Sequence, residues 1–196
     1  MITPSPTPAA TLPPVRFKVV PEPPVHRDAE SDDTDSGENG EPTPIERGQR
    51  AIPLVPANEA ECCARLADRL SLPARDAARE WLTFLRALGL VAETDSGFRR
   101  QREGPDKEDL AAVFNEQVYG VREVLAVLDE AEKPLPADAV IERFAEHIPQ
   151  WERFRYPDPE AIWDERVERL LGWTVYFGLA ERVEDGYRPV EKSGLS

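Results

Sequence analysis

Apolar residues recur every three or four positions along five stretches of the chain, the spacing of one face of a helix. The predicted helices cover residues 58–71, 73–88, 110–131, 137–147 and 160–177. After the second and the last of these helices, the pattern shortens to brief apolar and polar alternation, which is typical of half-buried strands. The sequence therefore predicts a mainly helical chain with two small β-hairpins.

The two hairpin segments repeat one another. Residues 88–99 read LGLVAETDSGFR and residues 177–188 read FGLAERVEDGYR, at a constant offset of 89 positions. The second residue of each copy is a glycine at the end of a helix. Each copy then runs through a strand, a glycine-containing tight turn and an aromatic-Arg pair that opens the return strand. The repetition predicts two copies of one helix-then-hairpin unit.

Start signals place the first two helices next to one another. Asn58 is a predicted N-cap, and Glu61 follows three residues later, as in a capping box. Pro73 is predicted at the first position of the second helix, and the two helices with their short turn form a helix-turn-helix. An earlier helix in the same unit has one candidate, residues 44–52.

Two further features concern the second half of the chain. The long helix at 110–131 is expected to be interrupted or bent near Gly120, and prolines end it. Residues 149–159 are expected to form a loop that is unusually aromatic.

The combination of a helix-turn-helix with a hairpin resembles the winged-helix superfamily, in two tandem copies over about 60–102 and 110–190. The pattern is similar to that of small prokaryotic winged-helix regulators. It is also similar to tandem winged-helix adaptors, among them kleisin-bound chromosome-segregation proteins and archaeal transcription-factor subunits. The resemblance implies a tandem winged-helix fold that docks on nucleic acid or on protein. The predicted domains are a tail at 1–57, a first unit at 58–104 and a second unit at 105–196.

The predicted tail is rich in proline and acidic residues. Residues 1–57 hold more than half of the 20 prolines, and residues 28–41 contain no large apolar residue. Such a segment buries too little apolar surface to offset its ordering entropy, so it is expected to be disordered. One island, VRFKVV at residues 15–20, alternates apolar and basic residues. It is either a locally apolar segment of a disordered tail, without a specific binding role, or a motif, centred on Phe17, that docks on a partner.

Charge is spread unevenly along the chain. The net charge is -14, yet residues 58–104 carry 8 acidic and 8 basic residues, whereas residues 105–191 carry 21 acidic and 10 basic residues. Arginine outnumbers lysine 20 to 4. This composition resembles that of proteins from extreme halophiles, whose acidic surfaces maintain solubility. The acidity therefore says less than usual against nucleic-acid binding.

Several classes of function are not expected. No stretch of 18 apolar residues predicts a membrane span, and no signal peptide is recognised, so a cytoplasmic protein is expected. Adjacent Cys62 and Cys63 do not form a disulfide framework, and at least one of them is expected to pack the helix rather than to bind metal or sense redox state. Without a phosphate-cradling loop, HExxH or GxSxG, neither a cofactor nor enzymatic activity is predicted.

Arginines on the second helix and its wing are the candidate DNA contacts. On a helical wheel, Arg75, Arg79 and Arg86 fall within about 40° of one another and roughly opposite the apolar face. Winged helices insert the equivalent helix into the major groove. The full predicted DNA-binding set adds three wing residues: Arg75, Arg79, Arg86, Arg99, Arg100 and Arg102. Phosphate contacts and bidentate guanine contacts suit such a set.

The equivalent helix of the second unit argues for a different role. Its outward positions are mostly acidic, which favours self-association or docking of a protein partner over contact with phosphates. The predicted partner-binding residues are Trp151, Phe154, Tyr156 and Phe17, since aromatics beside arginine are enriched at interfaces. The leading hypothesis is a DNA-binding transcription regulator, and the alternative is an adaptor that does not touch DNA. Pairing of the arginines with acids, or their burial by the second unit, would favour the adaptor.

Overall fold

The computed structural model describes residues 17–24, 42–102, 107–155 and 157–190. The prediction of a disordered tail falls mostly on residues 1–16 and 25–41, which lie outside the described residues. Two units follow, which we call the first unit (residues 42–102) and the second unit (residues 107–190).

The first unit contains three helices and a hairpin. The helices are α1 (Pro44–Ala51), α2 (Glu59–Leu70) and α3 (Arg75–Ala87), and the strands are β1 (Val91–Thr94) and β2 (Gly97–Arg100). Ala57 forms an antiparallel bridge to Phe98 and so adds a short third strand to the hairpin. The order of helix, bridge, two helices and hairpin is that of a winged helix.

The second unit repeats this order with additional helices. Its elements are α4 (Lys107–Gln117), α5 (Val121–Asp129), α6 (Ala137–Phe144), a single 3-10 turn (Ala145–His147), α7 (Gln150–Arg155), α8 (Pro159–Tyr176), β3 (Ala180–Val183) and β4 (Gly186–Pro189). Leu135 bridges Tyr187, as Ala57 bridges Phe98 in the first unit. The predicted fold class, a tandem winged helix that is mainly α with small hairpin wings, is confirmed.

The two hairpins have the same register. Val91 faces Arg100 in the first hairpin, and Ala180 faces Pro189 in the second, so the paired positions keep the offset of 89 residues. The turn glycines Gly97 and Gly186 have φ angles of +122° and +140°. A Cβ at either position would lie 2.2 Å from a backbone oxygen of the bridging residue, so both units need glycine there for the same reason.

Helix caps explain where several elements begin. The Asn58 side chain accepts a hydrogen bond from the Glu61 amide at 2.9 Å and so caps α2 as predicted. Thr43 and Glu46 form a reciprocal capping box at the start of α1. The prediction that Pro73 opens the next helix is wrong. Ala74 is still extended, with φ -145° and ψ 156°, so α3 begins at Arg75.

Two further predictions need correction, and a third is confirmed. Residues 44–51 form α1 and bury Ile45, so the predicted tail is too long at its C-terminal end. The interruption expected near Gly120 is confirmed, because α4 and α5 are separate helices and Gly120 adopts a φ of +98° between them. Within the expected aromatic loop, residues 150–155 form the helix α7. The Glu152 side chain of α7 is buried and accepts a hydrogen bond from Trp163 on α8.

Candidate nucleic-acid interface

Arg75 and Arg79 lie on the exposed N-terminal part of α3. Arg79 Nε donates to Glu59 Oε1 at 2.9 Å, and its NH1 lies 3.5 Å from Asp76 Oδ1. The hydrogen bond to Glu59 raises the pKa of Arg79, so its charge persists in the pair. Exposed ion pairs contribute little free energy, about 0–1 kcal/mol, so a phosphate can replace these carboxylates.

Arg86 has a different environment from the other arginines of the stripe. It is half-buried and donates to the Glu93 carboxylate of the wing. Its guanidinium also lies 5.4 Å from the ring centroid of Phe98 and 5.9 Å from that of Phe17. These contacts hold the side chain between the wing and Phe17 and leave it 29 % exposed.

The wing arginines differ in exposure. Arg99 and Arg102 are exposed, and Arg100 is half-buried, with its backbone amide donating to Pro53 O at 2.8 Å. Across the described ranges, no ion pair is formed by Arg75 or by these three residues. Arg75, Arg79, Arg99 and Arg102 are therefore exposed, whereas Arg86 and Arg100 are half-buried.

The second unit reverses the charge at the positions equivalent to the two helix arginines, whereas the wing residue Arg99 corresponds to another arginine, Arg188. With the offset of 89 residues, Arg75 corresponds to Asp164 and Arg79 to Glu168, and both acidic residues are exposed. The bases nearby are already paired: Arg166 lies 3.5 Å from Glu152, and Arg169 contacts Glu80 and Glu165. The α8 surface therefore presents negative charge where α3 presents positive charge.

The second half of α3 is covered by the second unit. The Phe84 and Trp173 rings lie 4.6 Å apart, Trp81 and Trp173 lie 5.8 Å apart, and Phe84 also meets Phe114 on α4 at 6.1 Å. Sequence reasoning placed the apolar face of this helix on one stripe and missed Phe84. The available signal was that Leu82, Phe84 and Ala87 make the C-terminal half apolar nearly all round, which is typical of a buried helix.

The family model described as "Halobacterial double winged helix domain" matches residues 15–194. The chain belongs to this family. The family description names the two tandem winged helices and the halophile link that the sequence predicted. No curated protein and no solved structure matches the chain significantly.

In this double winged helix, the predicted partner-binding aromatics do not form one cluster. Trp151 and Phe154 lie on α7 with exposed fractions of 52 % and 84 %. Tyr156 lies outside the described residues. Phe17 is half-buried against its own chain, and the next residue, Lys18, contacts the Trp151 ring on α7.

Phe17 belongs to a short extended segment, residues 17–24, that we call the strap. It lies between the two units of the double winged helix. Phe17 bridges Val118 at the break between α4 and α5, while the Val20 and Pro21 carbonyls accept hydrogen bonds from α8. Of the two interpretations of the VRFKVV island, its described part fits the docking motif, but the docking is on its own chain.

Other candidate chemistry of the double winged helix is limited. Cys62 and Cys63 are buried and free, and burial raises the pKa of both thiols, which disfavours the reactive thiolate. Within the described residues, no group of three or more His, Cys, Asp or Glu side chains is arranged to hold a metal ion. No described helix is long and apolar enough to cross a membrane.

Proposed function

We propose that the protein is a DNA-binding regulator whose first unit contacts the duplex and whose second unit docks a protein partner or a second copy. The observation that carries the proposal is the reversal of charge between equivalent positions. Arg75 and Arg79 stay exposed on α3, whereas Asp164 and Glu168 occupy those positions on α8. Two copies of one fold with opposite charge on the same face are suited to different ligands.

The proposed DNA surface consists of Arg75, Arg79, Arg99 and Arg102. Because the second half of α3 is covered, the contacts come from the start of the helix and from the wing, which in winged helices lies over the backbone or the minor groove. In molar salt the Debye length is only about 3 Å, so repulsion from the acidic second unit is largely screened. The same screening weakens phosphate contacts, so close-range contacts must contribute more of the affinity.

A salt series of electrophoretic shift or anisotropy measurements tests this proposal. Each phosphate neutralised contributes about -0.9 to the slope of log K against log salt. The triple variant Arg75→Ala, Arg79→Ala, Arg99→Ala should therefore bind duplex DNA more weakly and flatten the slope by nearly 3 units.

The matched control removes three exposed arginines of the second unit: Arg143, Arg182 and Arg188. It changes the net charge by the same amount and should leave the slope close to that of the wild type. If both triple variants weakened binding equally, the loss of affinity would come from the change in net charge and not from the proposed DNA surface. Absence of wild-type binding to any duplex at low salt would reject DNA binding.

The second candidate is an adaptor that does not contact DNA. Two observations favour it: Arg79 and Arg86 already pair with acids, and α7 exposes Phe154 and Trp151. If these aromatics anchor self-association, Trp151→Ala should cost on the order of 2 kcal/mol of association free energy. Sedimentation of this variant should be compared with that of Val55→Ala, which trims an exposed apolar side chain of the first unit. An unchanged monomer–dimer equilibrium in Trp151→Ala would count against the α7 surface as a dimer interface.

A further inference from the structure

The strap is held through its backbone in the way that a peptide ligand is held. Phe17 N donates to Gln117 O at 2.7 Å, and Tyr119 N donates to Phe17 O at 2.7 Å. These groups are open to pairing because the helix is broken between α4 and α5. Addition of an extended segment to free backbone groups is a general mode of peptide recognition, and it needs no particular side chain.

The C-terminal part of the strap is bound as proline-rich peptides are bound. The indole Nε1 of the buried Trp173 donates to Pro21 O at 2.8 Å, and Arg169 NH1 donates to Val20 O at 3.1 Å. Pro23 rests on Gly172, where a Cβ would lie 2.5 Å from the proline ring. The indole donor pairs with a peptide carbonyl, and Gly172 leaves room for a proline ring on the surface of α8. Both features favour an extended peptide that contains proline.

A buried carboxylate selects the basic residue of the strap. Lys18 Nζ lies 2.8 Å from Glu152 Oε1 and 3.5 Å from the ring centroid of Trp151. Glu152 is only 2 % exposed, and its other oxygen accepts from Trp163 Nε1. Because α8 already supplies Trp163 and Arg166 to this carboxylate, the lysine pocket keeps hydrogen-bond partners when the strap is absent.

Space for a longer ligand continues past the end of the strap. A groove of about 1040 Å³ runs from Pro23 and Pro24 along α8 to the second hairpin. Its walls combine apolar side chains such as Val175 with carboxylates such as Glu168, which outnumber the arginines Arg169 and Arg182. A peptide that extends beyond the second proline with basic residues would find complementary charge there.

We propose that this crevice between the units is a peptide-binding site for a protein partner, with the strap as its intramolecular competitor. The ligand is an extended segment of the pattern Phe-Lys-x-Val-Pro-x-Pro, which the strap itself carries. The 17 residues from Val25 to Glu41 connect the strap to the first unit. Their extended length of about 58 Å allows the strap to leave and return without unfolding either unit. This inference is independent of DNA binding.

The test is an exchange experiment on the full chain. A site for a sequence-specific protease is placed between residues 25 and 41, and a fluorescent peptide of residues 15–24 is added after cleavage. We expect saturable binding by anisotropy, and at least tenfold weaker binding by the uncut chain, whose tethered strap competes at an effective concentration in the millimolar range.

Two matched changes test the lysine pocket. The peptide with Lys18→Glu should bind the cleaved chain at least tenfold more weakly, whereas the peptide with the exposed Glu22→Ala should bind as well as the unmodified peptide. Absence of exchange in a cleaved chain that keeps its circular dichroism spectrum would overturn the proposal. Equal binding of the Lys18→Glu peptide would also overturn it.

Should cleavage unfold the chain, the uncut protein can be titrated with millimolar peptide while the indole N–H resonances of Trp163 and Trp173 are followed. Shifts of both resonances support the site, and unchanged resonances overturn it. Concentration-dependent dimers that exchange straps would assign the crevice to a second copy of the chain and overturn the assignment to a different protein.

Discussion

At the scale of single residues, two glycines determine whether the wings close onto their units. Gly97 and Gly186 sit in equivalent turns with positive φ, directly beneath the backbone of the bridging residue. Gly89 and Gly178 also have positive φ, +72° and +68°, but open space surrounds their missing side chains. The pairs therefore differ in two respects: the close approach of a backbone oxygen, and a φ that lies further from the left-handed helical region at Gly97 and Gly186.

Substitution of these glycines by alanine should reveal the difference. Left-handed backbone costs an alanine about 1–2 kcal/mol, so Gly89→Ala should lower the free energy of unfolding by roughly that amount. Gly97→Ala adds a contact of 2.2 Å with Ala57 O and should be destabilised further, by at least about 1 kcal/mol. Denaturant unfolding at fixed salt measures both variants. Equal losses would mean that the turn moves away from Ala57 without cost.

The buried cysteines predict how stability depends on alkaline pH. Burial is the main cause that raises the pKa of each thiol in the folded chain. Unfolded thiols ionise near pH 8.5, whereas the folded thiols stay protonated to higher pH. The contribution of the thiols to stability is thus complete below pH 8.5 and is lost above it, by up to about 1.4 kcal/mol per pH unit for each thiol.

The matching experiment measures the free energy of unfolding of the wild type between about pH 7.5 and 9, below the pKa of about 10 at which tyrosine ionises. The double variant Cys62→Ala, Cys63→Ala should lose the part of the pH slope that the thiols cause, whatever its absolute stability. If the free energy of unfolding of the double variant fell as steeply with pH as that of the wild type, the buried thiols would not be the cause of the pH dependence.

The sequence predicted single residues well where a local rule determines them. Asn58 caps α2, and the repeated turn glycines identified both hairpins, because caps and turns depend on neighbours in the chain. The contacts and exposure of the arginines could not be predicted in this way. Arg86 is held by Glu93 and by the rings of Phe98 and Phe17, two of which are far from it in sequence, so only the folded chain brings them together.

At the scale of elements, the break at Gly120 has a structural use. It ends α4 early and leaves the backbone of residues 117–119 available to the strap. A continuous helix would have satisfied those groups internally. Helical periodicity identifies the face that a helix buries, but it does not show that a remote segment will pair with the backbone at a break.

Release of the strap should be detectable at this break. Val20 is 3 % exposed, so Val20→Asp places an unpaired charge in the crevice and should displace the strap. Hydrogen exchange of the Tyr119 amide, which donates to Phe17 O, should then accelerate. The Val124 amide, which donates to Gly120 O at the start of α5, should remain protected and serves as the internal control. Unchanged exchange at Tyr119 would mean that the strap does not depend on Val20.

At the scale of the whole molecule, the two units meet through equivalent positions. Glu80 and Arg169 are 89 residues apart, as are Phe84 and Trp173, and each residue contacts its own counterpart. Contact between equivalent positions is the property of an interface around a two-fold axis. The double winged helix thus resembles a dimer in a single chain. The sequence revealed the repeat but not this contact, because the offset of a repeat does not specify how its copies pack.

This interface should make the two units unfold together. Small domains are marginally stable alone, and the aromatic contact between α3 and α8 joins both cores. Phe84 is fully buried and touches Trp173 and Phe114 of the second unit, so Phe84→Ala should cost about 3–5 kcal/mol and separate the unfolding of the units.

Leu66→Ala is the control, because Leu66 is equally buried on α2, which packs on α1 and α3 within the first unit. It should lower stability and leave one transition. Thermal unfolding followed by both tryptophan fluorescence and circular dichroism distinguishes these outcomes, since coincident curves indicate one cooperative transition. Coincident curves for Phe84→Ala, with a midpoint as high as that of the wild type, would show that the interface does not couple the units.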